Sequence, residues 1–232
     1  MEPLPEVQSA FKELELLLEE PTGLPGRLEA IGNVAQGLVP STVGVSLSIV
    51  VDEETFTLTS TAPDAAIVDA AQYLEQAGPC LAAIETGQNV EVDDVLDEER
   101  WRLYRHTSSS VGIRSSLSLP LRDDGDRVVG ALNLYATEPS AFQGREEIFA
   151  GLFGAKVTEL VKNADLTFQT RAWARELPDR LSARRKLETA VGVLVAMGGW
   201  TPDDARAKLR RAAEKAGIEV ERVAELVMGL AA

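Results

Sequence analysis

The chain has 232 residues, with 37 acidic against 23 basic side chains for a formal net charge of −14, and 45% hydrophobic and 26% charged content. That length and balance fit a soluble globular protein with room for one large or two modest cores. The single Cys80 excludes an internal disulfide and any multi-cysteine metal site. The single His106 excludes histidine-rich metal chemistry, and no phosphate-binding loop or Ser-His-Asp set can be assembled, so the composition leans against an enzyme.

The charge is unevenly placed. From Leu166 onward 12 Lys and Arg stand against 9 Asp and Glu, or +3, whereas residues 1–165 hold 11 against 28, or −17. An acidic body with a mildly basic tail suits a regulator whose tail alone meets a polyanion. The longest apolar run, Ala190 to Met197, is too short to cross a bilayer. The opening MEPLPEVQSAFKELELLLEE has no basic segment ahead of an apolar one, so no secretory signal is expected and cytoplasmic residence is the default.

In chain order, residues 6–20 and 25–39 read as two helices separated by Pro21-Thr22-Gly23 and Pro25-Gly26. The first, with Val7, Phe11, Leu14, Leu17 and Leu18 on one side, packs on the domain or pairs with a second chain. From Val43 the period becomes two: Val43, Val45, Leu47, Ile49 and Val51 alternate with Gly44, Ser46 and Ser48, which predicts a half-buried strand. Asp52-Glu53-Glu54 reads as the turn, and Phe56 and Leu58 as the return strand. Short helices, an extended segment at 89–92 and a loop-rich stretch through Gly112 follow.

A second hairpin pairs Leu117, Leu119 and Leu121 with Val128, Leu132 and Leu134 across Asp124-Gly125. From Gly144 a long helical pattern carries Phe149, Phe153, Val157, Leu160 and Ala164, running through Phe168 and Trp173 to Pro178. The absence of a Gly/Ser linker predicts that the two halves are joined by helix.

The last segment predicts three short helices. Leu187, Ala190, Val191, Leu194 and Met197 share one face of the first, and Ala205, Leu209, Ala212 and Ala216 form a narrow stripe on the second. On the third the face is Val220, Val223, Ala224, Val227 and Leu230. Thr201-Pro202-Asp203-Asp204 is an N-cap with a proline first turn and two acids on the dipole, and Gly217 suits a left-handed C-terminal residue. Trp200 is placed to cover the end of the shared core.

Three residues of the first half are candidates for a ligand pocket. Cys80 opens the helix Leu81-Ala82-Ala83-Ile84, where a helix N-terminus lowers thiol pKa; a bilin or redox role competes with a small buried core residue. Trp101 and Tyr104 are either pocket walls or the closure of a hydrophobic core. His106 on the same short helix is a haem ligand or ligand contact in one reading and a surface histidine in the other, which is favoured. No cofactor is assigned. In the second half the candidates are basic: Arg184, Arg185 and Lys186 on the first helix and Lys208, Arg210, Arg211 and Lys215 on the second. Lys208, Arg211 and Lys215 recur at i, i+3 and i+7 and are read as lying opposite the alanine stripe, a candidate phosphate-contacting face.

Two resemblances are carried by these residues. Gly78-Pro79-Cys80, Ala83, Thr86-Gly87, Arg100-Trp101, Gly112-Ile113-Arg114-Ser115, Leu119-Pro120-Leu121, Gly130-Ala131-Leu132-Asn133-Leu134-Tyr135 and Pro139-x-x-Phe142 resemble a GAF domain, the small-ligand sensing fold, over about residues 26–164. Ala190, Gly192 and Leu194, then Asp204-Ala205, Leu209, Arg210-Arg211 and Ala212, then Val223-Ala224, resemble the ANTAR domain of bacterial transcription antitermination regulators over about 183–227. The pair looks like actinobacterial proteins with a sensor ahead of an ANTAR domain. It implies an α+β fold: a GAF-type antiparallel sheet with helices packed on one face, then a long connecting helix and an all-α three-helix domain.

The expected layout is an N-terminal helix over 1–25, the sensor over 26–164, a helical connector over 165–182 and the ANTAR domain over 183–232. The resemblance implies a homodimeric regulator that binds RNA hairpins in nascent transcripts under control of a small molecule in the GAF pocket, with no membrane partner. The chain lacks the Asn-Lys…Phe…Asp-Glu pattern of cyclic-nucleotide GAF domains, and methionine sulfoxide reduction on this fold needs more than one cysteine. Val191 and Arg206 stand where the ANTAR pattern often has a lysine and an aromatic, and Glu219 and Glu221 stand where it is commonly basic. Those acids motivate the alternative, an ANTAR domain kept for dimerisation or protein docking.

Overall fold

The computed structural model describes residues 23–51, 54–163 and 180–229. The expected helix over 6–20, most of the connector with Phe168 and Trp173, and Leu230 lie outside the described residues.

The first half is built on a five-stranded sheet in the order β2-β1-β5-β4-β3, antiparallel throughout. The chain enters through helix α1 (Gly23–Leu38) into the hairpin β1 (Thr42–Val51) and β2 (Glu54–Ser60). Helices α2 (Pro63–Glu75) and α3 (Pro79–Thr86), the short strand β3 (Val90–Val92) and helix α4 (Arg102–Ser110) cross to the second hairpin. That hairpin is β4 (Ser115–Arg122) and β5 (Val128–Ala136), and helix α5 (Glu146–Asn163) follows. Its turn is tied by the Asp123 carboxylate, which accepts the Gly125 and Arg127 N–H groups at 3.0 Å each. Proline opens α2 and α3, where a missing N–H costs nothing, and Gly87 at φ 65° closes α3 in the left-handed region.

Helices cover both faces of the sheet, not one. The apolar residues of β1, β4 and β5 (Val45, Leu47, Leu117, Leu119, Leu132, Leu134) meet Ile31 and Val34 of α1 and Phe149, Leu152 and Phe153 of α5. The opposite face lies under α2, α3 and α4. Ser46 and Ser48 are therefore fully buried, and β1 is covered on both sides instead of half-buried. Val43, expected on the apolar face, is exposed at the strand's start. Glu54, expected in the turn, is the first residue of β2.

The second half is three helices: α6 (Arg180–Gly198), α7 (Pro202–Ala216) and α8 (Val220–Gly229). Thr201 caps α7 as the sequence predicts, accepting the Asp204 N–H at 3.2 Å and donating its hydroxyl to the Asp204 carboxylate at 2.6 Å; Gly217 closes the helix at φ 65°. Leu187, Ala190, Val191, Leu194, Ala205, Leu209, Ala212, Ala216, Val223, Ala224 and Val227 form the core, with Trp200 partly buried against it. Met197 does not join them and is 41% exposed, while Trp200 lies over Gly198, where an added Cβ would stand 3.1 Å from its ring.

Candidate functional site

The alternation that puts leucines on one face of the sheet puts polar side chains on the other. Ser46 and Ser48 of β1, Thr57 of β2 and Asn133 and Tyr135 of β5 meet Asp69, Gln72 and Tyr73 of α2 in one fully covered cluster. Tyr135 donates to Asp69 Oδ1 at 2.6 Å and Thr57 to Asp69 Oδ2 at 2.8 Å. The Tyr73 hydroxyl lies 2.9 Å from Thr57 Oγ1 and 3.1 Å from Ser48 Oγ, while Asn133 Nδ2 donates to Ser46 Oγ at 3.1 Å. Gln72 Oε1 accepts the Cys80 N–H at 2.9 Å, which ties the cluster to the first turn of α3. Asn133 Oδ1 is buried without a partner among the described residues. A buried network left short of partners is a place where a polar ligand gains most.

Burial pushes the Asp69 carboxyl up to about 6, against the hydrogen bonds of Tyr135, Ser46 and Thr57, which pull it down. Because the folded-state value lies above the ordinary carboxyl value, the associated stability is full below about pH 4 and is lost as pH rises through about 6. Urea unfolding at stepped pH is expected to show the parent losing up to about 3 kcal/mol between pH 4 and 7 relative to Asp69→Asn. Parallel profiles for the two proteins would refute the assignment.

The three pocket candidates fall in buried positions around this cluster. Cys80 is fully buried, and its thiol is pushed up to about 12 by burial and then by the Asp69 charge. That reverses the effect expected of the helix N-terminus, since removing solvent outweighs a partial dipole in the first turn. Trp101 and Tyr104 pack edge to face at 6.1 Å within the apolar cluster of Val68, Val92, Val95 and Ile113, the core-closing alternative. Glu75, at the end of α2, accepts the Arg102 and Leu103 N–H groups at 3.0 Å each and so holds the start of α4. His106 is exposed, the surface reading. Two clefts, of about 230 and 470 Å³, include none of Cys80, Trp101, Tyr104 and His106; the first lies between α1 and β1, the second, which Thr57 lines, between the end of α7 and the β2–α2 corner.

This cluster was not among the expected sites, because Ser46 and Ser48 alternate with the apolar residues of what reads as a half-buried strand. Its signal was present in the Gly-Ser-Ser and Asn-Tyr alternation on the faces of β1 and β5 away from the leucines, and in the lone Asp69 among alanines.

On the second half, the basic candidates separate. Arg184 and Arg185 lie on α6, but their side chains fall outside the description. Lys186 pairs with Glu225 of α8. Lys208 stands 4.9 Å from the Trp200 ring, and Arg210 is exposed. Arg211 and Lys215 pair with Glu54 of β2. Lys208, Arg211 and Lys215 do not lie opposite the alanine stripe as expected: at 100° per residue they sit roughly a quarter turn from it, where the sensor buries Lys215 and leaves Arg211 61% exposed. Arg206, which stands where the pattern has an aromatic, bonds Glu188 of α6 at 2.9 Å and Asp203 at 2.8 Å, and Glu219 is exposed before α8.

Among the described residues no group of three or more His, Cys, Asp or Glu is arranged to hold a metal ion, and no helix is long and apolar enough to cross a membrane.

The GAF-domain family model matches residues 27–161 and the ANTAR-domain family model matches residues 175–228. No curated protein matches the sequence. Among solved structures, the GAF domain from Acinetobacter phosphoenolpyruvate-protein phosphotransferase is similar at a TM-score of 0.52 and 12% identity, covering 69% of this chain and 95% of that one. The fRMsr of Staphylococcus aureus in complex with substrate is similar at a TM-score of 0.50 and 13% identity, covering 69% of this chain and 98% of that one. At such identities the likeness establishes the fold alone. With the family matches spanning the sheet domain and the three-helix unit in turn, the chain belongs to the GAF-domain family and carries an ANTAR domain behind its sensor domain.

Proposed function

We propose that this protein is a signal-responsive antitermination regulator in which the GAF sensor controls binding of RNA hairpins by the three-helix unit. The observation that carries the reading is the folded ANTAR unit with Lys208, Arg210, Arg211 and Lys215 arrayed along α7, Arg210 exposed at its surface. Charge and shape are what a duplex RNA stem offers to such a face, since its deep major groove is closed to side chains. The sensor supplies a buried polar cluster with the unpartnered Asn133 acceptor for a small ligand, and the unidentified ligand enters as the signal. The protein acts as a homodimer in the cytoplasm, presenting two units to tandem hairpins.

The reading has no catalytic step. A buried Cys80 thiol held near 12 is a poor nucleophile, and the exposed His106 lies outside the polar cluster. A Cys80→Ser variant is expected to keep full regulatory activity.

The test is filter binding of the full chain to hairpin RNA across a salt series. Binding is expected to weaken steeply with salt, and Arg210→Glu to lower affinity about tenfold and reduce the log–log slope by about one or two. Binding without a salt-sensitive component sinks the reading. Full regulatory function in Arg210→Glu favours the alternative, a dimerisation or docking module, which the exposed Glu219 and the ion pairs of Arg211 and Lys215 support.

A further inference from the structure

Two of the cations assigned to RNA are turned toward the sensor. Arg211 and Lys215, one helical turn apart on α7, both pair with the Glu54 carboxylate at the start of β2. The Lys215 side chain is only 13% exposed, and its ammonium lies 5.9 Å from the Phe56 ring centre on the same strand. Beside this ionic contact, Ala70, Ala71, Tyr73 and Leu74 of α2 and Leu103 of α4 share one apolar cluster with Leu209 and the alanines of α7. At the far end, a Cβ on Gly217 would stand 3.7 Å from the Thr57 carbonyl oxygen, so the C-terminus of α7 lies against β2.

We infer that the sensor holds the three-helix unit in a self-inhibited state, Glu54 occupying the two cations that an RNA backbone would otherwise neutralise. The inference rests on the reading of α7 as an RNA-contacting helix. A carboxylate and a phosphate use the same donors with the same geometry, so one occupant excludes the other. Apparent RNA affinity is then the intrinsic affinity scaled by the fraction of molecules with α7 undocked. A body of net charge −17 beside a tail of +3, counted from the sequence, biases that equilibrium toward the docked state.

Tyr73 gives the device an input. Its ring belongs to the apolar cluster shared with α7, while its hydroxyl bonds Thr57 and Ser48 inside the polar cluster. Thr57 in turn lies three residues from Glu54 on β2. A ligand that rearranges the groups around Asp69 therefore acts on both halves of the docking contact. This route crosses α2 and does not need the connector expected over 165–182.

The experiment uses the full chain with E54Q, which removes the carboxylate charge, and E54K, which repels both cations. Glu54 is only partly buried at a strand start, so neither change empties the core. E138K adds the same charge as E54K at an exposed position after β5 and serves as the control. Hydrogen exchange along α2 and α7 is measured without RNA, and hairpin binding at fixed salt. The expected result is faster exchange in both helices, with affinity raised about threefold in E54Q and about tenfold in E54K. The salt slope is expected to steepen by up to about two. Unchanged exchange in E54K overturns the docking contact. Faster exchange with affinity no higher than that of E138K overturns inhibition and leaves RNA binding standing. Lack of salt-sensitive binding in every variant, E54K included, overturns the RNA reading and the inhibition with it.

Discussion

Gly130→Ala is expected to cost the sensor at least about 3 kcal/mol, a fall of roughly 6 to 12 °C in its unfolding midpoint. Gly130 sits in β5, the middle strand, opposite Ile49 on one side and Leu121 on the other. A Cβ there would stand 2.1 Å from the Ser48 carbonyl oxygen and 3.1 Å from the Ile49 Cα. Both obstacles are backbone atoms of a paired strand, so relief requires β1 and β5 to separate, and no rotamer change provides it. Separation also pulls Ser48 away from Tyr73 and Asn133, opening the polar cluster. Gly151→Ala on α5 is the matched control, because a Cβ there meets nothing within 4 Å and alanine favours the helix. Thermal unfolding of both variants decides the matter, and a Gly130→Ala midpoint within about 2 °C of the parent contradicts the close approach.

The second large effect belongs to Leu209→Ala, which is expected to melt the three-helix unit while the sensor stays folded. Leu209 is fully buried on a helix whose other core positions, Ala205, Ala212, Ala213 and Ala216, are all alanine. The stripe lets neighbouring helices approach closely but contributes few methylenes, so Leu209 carries an unusual share of the apolar burial. Truncating it costs about 2 to 5 kcal/mol, which approaches the whole stability of a unit of this size. Limited proteolysis is expected to cut within residues 180–229 and spare 54–163, with helical circular dichroism reduced in proportion. Protease resistance equal to the parent's would show that docking on α2 alone secures the unit.

Much of the architecture is legible in the chain. Alternation in β1, β4 and β5 gives the strands, Asp123 to Arg127 the hairpin turn, and Thr201, Pro202 and Gly217 the limits of α7. These signals are local: each depends on residues within one turn or one pleat of each other, so it survives without knowledge of the partner surface. The candidate sites are less legible. Ser46 and Ser48 look like a solvent face until α2 is known to cover them, and Cys80 looks activated until the depth of its burial is known. Lys208, Arg211 and Lys215 share a helix side in any helical reading, but which way that side points depends on where α7 docks.

The kind of each half, the main strands and helices of the described residues and the inventory of charges can be read along the chain, because periodicity, capping and composition act over a few residues. How those charges are used follows from packing. It placed the Asp69 cluster between the sheet and α2, and it set Glu54 against Arg211 and Lys215 although more than 150 positions of chain separate them. Contacts between residues so distant in sequence arise from packing one finished element on another, and no local pattern encodes them.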